Sequence, residues 1–356
     1  MGETENEKVP GTSSKVSKGL EGTTLGKNNR YDKGLSVLEQ YDLVSDNTYR
    51  GRGTLLCQTA QGLKMIQPYT GSVKRLEKIN QILEHLQKMG HKNLDQILRN
   101  KEGNLTSVDA DGYTYLVKNW FVGKECDVRS EREILLTMRR MAQVHKDLFL
   151  SLEDSCEKEN LLEEYKKHNQ QLKKIRIYIR KRKQKSLFDY RYLASVERYL
   201  DYGSQALLRL EQSDYKEICQ QDSETGSICH GMCNQHNFLM LSDGTAMVNF
   251  DHFFAGGHMS DVAQFLRKIM EKYNWNLELA HKMLNSYDQI IPISKGEWKQ
   301  LGIRMSYPEK YWKIANFYYN SNKAFQPEKN MEKLERFILQ EKSWNDFLKT
   351  FFETFC

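Results

Sequence analysis

The sequence predicts an α+β protein of two lobes, strand-rich over residues 31–118 and mainly helical over residues 119–356. Three observations carry that prediction. Short apolar runs separated by glycine-bearing turns follow Lys33, as strands and hairpins require. From Arg132 onward apolar residues recur instead at helical spacing. The 356 residues are enough for two cores, and 39% hydrophobic with 28% charged residues is the balance of a folded soluble chain.

Taken in order, residues 1–30 are rich in Gly, Ser, Thr and Lys and cannot bury enough surface to offset their ordering entropy, so they are expected to form a disordered tail. "TYRGRGTLLCQTAQGLKMIQPY" reads as short strands, with turns at Gly51-Arg52-Gly53 and at Ala60–Gly62. Ser72 then caps a helix whose apolar face is Val73, Leu76, Ile79, Leu83 and Leu86, and Gly90 stops it. "LTSVDADGYTYLVKNWF" is a hairpin about Asp111-Gly112. In the second lobe Ile134, Leu135, Met138, Met141 and Val144 form one helical stripe. A charged stretch of two or three helices spans about 157–215, and a second hairpin turns at Asp243-Gly244. The rest is helical, with aromatic-rich faces whose spacing suits a core better than a ligand cage.

Several classes are excluded or disfavoured. No apolar run approaches the roughly 18 residues of a membrane helix. "MGETENEKVP" has no apolar signal core. Seven cysteines without framework spacing read as reduced thiols of a protein made in the cytosol. A net charge of +6 is too mild to argue for nucleic acid.

The informative stretch is "ICHGMCNQHNFLM", Ile228–Met240. It has the frame H-G-x-x-x-x-x-N of a phosphoryl-transfer loop running into a strand, but Met232 stands where such a loop carries an aspartate. Phosphoryl transfer asks for a carboxylate to orient the acceptor, an amide and a second carboxylate to hold magnesium, and a cation on the phosphates. Asn237 opens one strand of the second hairpin, and Asp251 is expected to end the partner strand, at the same end. The plainer alternative is that these are ordinary turn and strand-capping residues. Cys229, His230, Cys233 and His236 are also close enough to suggest zinc, but lack the paired spacing of structural sites. Gly51 and Gly53 suit either a phosphate-covering loop or a simple hairpin turn.

"ICHGMCNQHNFLM…VNFDH…SDVAQFLRKIM" resembles the aminoglycoside phosphotransferase and choline kinase branch of the protein-kinase-like fold, over nearly everything from residue 33 onward. "TYRGRGTLLCQT", "GSVKRLE", "YLVKNWFVGKECDVRS" and "DVAQFLRKIMEKYNW" are similar, more narrowly, to CotS-type spore coat proteins. The resemblance implies a two-lobed kinase-like fold and ATP with Mg²⁺ as cofactors. It implies synthesis in the mother-cell cytoplasm, deposition in the spore coat, and other coat proteins as partners.

By position, His230, Gly231 and Asn237 match the family loop H-G-D-x-x-x-x-N, and Met232 replaces its catalytic Asp. Asp251 matches the second metal carboxylate, and Asp261 the residue that braces the loop. The phosphate-pairing strand lysine should fall in "GLKMIQPY", where the expected slot holds Gln67; Lys64 lies three residues earlier and its parity points to the other face. The helix partner of that lysine would be Glu77 or Glu84, and Tyr115–Lys118, with Tyr115 and Val117, matches the connector that would meet an adenine. Met232 can neither accept a proton nor fix a hydroxyl, and Gln67 cannot offset phosphate charge. Both losses together point to a pseudokinase acting in coat assembly; the alternative is an active small-molecule phosphotransferase whose base comes from Asp251, Asp261 or the substrate. The basic run from Lys166 to Lys185 reads as the solvated face of a helix or as a dock for an acidic partner. Tyr178 alone makes no stacking platform, which argues against nucleic acid.

Overall fold

The computed structural model describes residues 34–51, 53–152, 156–320 and 327–356. The tail expected over residues 1–30, and Arg52 of the first turn, lie outside the described residues. Internal contacts divide the chain into two units: residues up to Thr70 with Ile97–Trp120, and Gly71–Gln96 with Phe121–Cys356. The boundary expected at residue 118 falls at 120, and the helix after Ser72 groups with the helical unit instead of the strand-rich one.

The first unit is an antiparallel sheet of β1 (Ser45–Arg50), β2 (Leu55–Thr59), β3 (Gly62–Pro68), β4 (Ser107–Val108) and β5 (Thr114–Asn119), in the order β1-β2-β3-β5-β4. Gly51 N donates to Thr54 O at 2.9 Å and closes the β1–β2 hairpin. Register decides which side chains share a face. Lys64, Ile66 and Pro68 stand opposite Asn119, Val117 and Tyr115, while Met65 and Gln67 stand opposite Lys118 and Leu116. The Ile66 face packs with Leu55, Cys57, Tyr115 and Val117 against Val37 and Leu38 of the 3-10 helix Leu35–Tyr41.

In the second unit, α1 (Val73–Lys88) begins where Ser72 Oγ accepts from Arg75 N at 3.2 Å, and buries Leu76, Ile79, Ile82, Leu83 and Leu86. After β6 (Lys124–Glu125) come α2 (Glu131–Asp147), α3 (Leu161–Lys181), α4 (Leu187–Glu211) and α5 (Tyr215–Thr225). Then β7 (Ile228–Cys229), β8 (Phe238–Leu241), β9 (Gly244–Met247) and β10 (Phe254–Ala255) form two small sheets, β6-β8-β9 and β10-β7. The chain finishes with α6 (Met259–Met270), α7 (Leu277–Asp288), α8 (Lys295–Ser306), α9 (Glu309–Asn320), α10 (Pro327–Leu339) and α11 (Glu341–Phe355).

The aromatic-rich segments supply core: Tyr192, Tyr199, Tyr311 and Phe351 are fully buried. On α3, Leu172, Ile175 and Ile179 face inward. Its outer basic residues Arg176 and Arg180 both pair with Glu197 of α4, as a solvated helix face does. All seven cysteines are free. Among the described residues no helix is long and apolar enough to cross a membrane.

Candidate active-site loop

The loop leaves β7, crosses from His230 to Asn234 and ends in the 3-10 turn Gln235–Asn237 ahead of β8. Its anchor is Asp261, fully buried in the first turn of α6. One carboxylate oxygen accepts from His230 N at 2.7 Å and the other from Gly231 N at 2.9 Å. The first also lies 3.2 Å from His145 Nε2, whose Nδ1 is 2.8 Å from the Tyr287 hydroxyl. Burial alone would raise the Asp261 pKa; the hydrogen bond and charge of His145, with His230 and the Gly231 amide, hold it at about 2.

The rest of the loop is tied as closely. His230 Nε2 donates to Val248 O at 2.9 Å, and its Nδ1 accepts from Met232 N at 3.2 Å. Burial lowers the His230 pKa, which suits the neutral imidazole those two partners require. Gly231 has φ 80°, and a Cβ there would collide with the His252 carbonyl oxygen, so no side chain fits. Gln264, one turn along α6 from Asp261, accepts from Cys233 N at 3.1 Å and donates to Gly231 O at 3.2 Å. Asn237 Nδ2 donates to Met232 O at 2.8 Å and fixes the far end. All these bonds hold main chain, and none needs an acid at position 232. The Met232 side chain, 38% exposed, lines a pocket instead.

Asn237 does sit at the mouth of the β8–β9 hairpin, where its carbonyl accepts from Val248 N at 3.0 Å. Asp251 does not end the partner strand, as expected from sequence. Strand β9 stops at Met247, Asn249 turns left-handed at φ 67°, and Asp251 lies on the 3-10 turn Phe250–His252. The Asn249 amide bridges the gap by donating to Asn237 Oδ1 at 2.9 Å. Arg75, in the first turn of α1, grips the same turn. Its Nη2 reaches Asp251 O at 2.9 Å and Phe253 O at 3.2 Å, and its guanidinium lies 4.7 Å over the Phe253 ring.

The sheet separates the residues expected to meet a nucleotide. Gly51, Gly53 and Tyr115 line one pocket of about 520 Å³ in the first unit. Tyr115 and Val117 lie inside β5 rather than in a connector, and pack into the core on the Ile66 face. Lys64 shares that face; its ammonium is spent on Gln61 O and Asn119 Oδ1, both at 2.8 Å. Gln67 is on the opposite face, and its Oε1 is buried with no hydrogen-bond partner among the described residues. On α1, Glu84 accepts from Asn80 Nδ2 at 2.7 Å, and Glu77 is half-buried.

Sequence reasoning placed Lys118 only at the end of the expected connector, not on the Gln67 face of the sheet. It is fully buried on the Gln67 face, directly opposite Met65. Its parity against Tyr115 and Val117 was the available signal. Gln264, three residues after Asp261 and hence on one helix face with it, was legible the same way. Arg75 had no local signal. The residues weighed for zinc are used separately. Cys229 Sγ donates to Gly257 O at 3.1 Å, burial raises both the Cys229 and Cys233 thiols, and His236 Nδ1 is 2.6 Å from Glu125.

The chain as a whole, with its five-stranded sheet and helical second unit, matches known proteins. The family model described as spore coat putative kinase YutH covers residues 35–351. The chain belongs to that family. A relative, spore coat protein S of Bacillus subtilis (strain 168), is 21% identical over 304 residues, 84% of this chain and 86% of that one. Among solved structures, an aminoglycoside phosphotransferase from Alicyclobacillus acidocaldarius superposes with a TM-score of 0.80 at 19% identity, covering 89% of this chain and 95% of that one. Amicoumacin kinase, solved in complex with AMP-PNP, Ca²⁺ and Ami, gives 0.54 at 12% identity over 89% and 94%. The YutH-family chain therefore has the two-part protein-kinase-like fold, and the CotS-type, phosphotransferase-like resemblance in its sequence holds.

Proposed function

We propose that this protein is a catalytically impaired kinase of the spore coat, which binds nucleotide and acts through coat assembly instead of phosphoryl transfer. The observation that carries the reading is Met232: the loop around it is fully braced, yet the side chain it presents is a thioether. A positioned base is worth about 10² to 10⁴ in rate, and no neighbour in the loop replaces it. Asp261 is buried and spends both oxygens on His230 N, Gly231 N and His145. Glu309 and Glu271 line the pocket beside Met232. Burial would raise the Glu309 pKa, but Arg267 and Lys313 hold it at about 2, too low for a base, and Glu271 is tied to Lys310 at 2.6 Å.

The nucleotide side is better preserved. Asn237 Oδ1 accepts one hydrogen bond and keeps a second lone pair, and Asp251 adds a carboxylate; these hard oxygen donors are the kind magnesium takes. When bound, the metal would offset phosphate charge. Within the first unit, Lys118 is buried on the same sheet face as Gln67. The family and the spore coat relative support the coat as its place of action.

The test is a thermal shift with ATP and Mg²⁺ beside a turnover assay on a panel of alcohols. The expected result is a shift that Asp251→Ala abolishes, with no ADP release. Steady ADP release dependent on Asp251 would restore the active-kinase reading.

A further inference from the structure

The pocket that Met232 lines has about 420 Å³, the size of a small-molecule site. One wall is the loop, from Gly231 to Asn234; the other comes from the last turn of α6 and the first turns of α9. Four cations, Arg267, Lys268, Lys310 and Lys313, face two carboxylates, Glu271 and Glu309. Those carboxylates are already engaged: Glu309 with Arg267 at 3.5 Å and with Lys313, Glu271 with Lys310 at 2.6 Å. Lys268 is the cation left over. It is half-buried in the pocket wall and has no ion pair among the described residues. Burial, and then the charges of Lys272, Lys310 and Lys313, lower its pKa. An anion in the pocket would reverse that penalty.

We propose that this pocket binds a small organic dianion, a phosphomonoester or dicarboxylate, whose charged end meets Lys268 and Lys310 and whose apolar body lies on Met232. The excess of two positive charges matches a dianion, and a cationic antibiotic-like ligand would face like charge there. At position 232 an aspartate would repel such a ligand, whereas a methionine offers it polarisable apolar contact. The inference deepens the pseudokinase reading, since it gives the site beside the silenced loop something to hold.

The experiment follows the ³¹P signal of phenyl phosphate titrated with the full-length protein, in the presence of saturating AMP-PNP and Mg²⁺, with succinate as competitor. The expected result is a saturable change that succinate reverses. Lys268→Met should weaken it about ten- to a hundredfold, Lys268→Arg should largely keep it, and AMP-PNP binding should be unchanged in both. No saturable change in the wild type, or equal affinity in Lys268→Met, would overturn the proposal. None of these outcomes depends on whether ATP turns over, so the pocket and the pseudokinase reading fail separately.

Discussion

On the pseudokinase reading proposed above, two places in this molecule lack a catalytic group, and the structure around them differs. Around Met232 each main-chain contact of the loop is met by Asp261, Gln264, His230 or Asn237, and the substituted side chain simply faces a pocket. At Gln67 in β3 the replacement leaves a buried amide oxygen without a hydrogen-bond partner among the described residues, one strand away from the buried Lys118. The difference teaches where shape and chemistry are separable. A loop whose geometry is built by its braces can lose its acid at no structural cost. A strand position whose side-chain oxygen is buried has less freedom.

The largest effect that bears on this contrast should come from the brace itself. Asp261→Ala removes the acceptor for two loop amides and leaves His145 without its buried partner, and should cost about 3–5 kcal/mol. Urea unfolding measures it; a loss under 1 kcal/mol would mean that the loop stands without its anchor. A smaller effect follows from charge. The Asp261 pKa is about 2 when folded and 3.8 in its ordinary state, so the ionised group favours the folded protein. That contribution, about 2 kcal/mol, is complete above pH 4 and should disappear as pH falls from about 4 to 2. Unfolding midpoints across that window should slope less steeply in Asp261→Asn. The smallest expected change is a gain. Gln67→Met removes the unpartnered oxygen and should raise stability by about 1 kcal/mol; a lower melting temperature would show that oxygen to be satisfied after all.

Much of the site was legible because its signals are local. Ser72 and Gly90 bound α1 by capping chemistry, and the observed helix runs from Val73 to Lys88 between them. The Asp243-Gly244 turn and the alternation around it gave the β8–β9 hairpin. The features that escaped depend on partners far along the chain. Nothing near Arg75 announces that it holds carbonyls 176 and 178 residues away. The left-handed turn at Asn249, which takes Asp251 off the strand, is an ordinary asparagine in the sequence. Tyr115 and Val117 looked like a connector because a strand's end and the linker after it share composition, and only the pairing with β3 distinguishes them.

The Arg75 grip has a mechanical consequence. It ties the opening turn of a sixteen-residue helix to the segment that carries Asp251. A ligand that shifted that segment on binding would load the helix through the same guanidinium, and by linkage anything that displaced the helix would change that ligand's affinity by the same factor. One guanidinium is thus the joint through which the start of the helix and the Asp251 turn would be coupled.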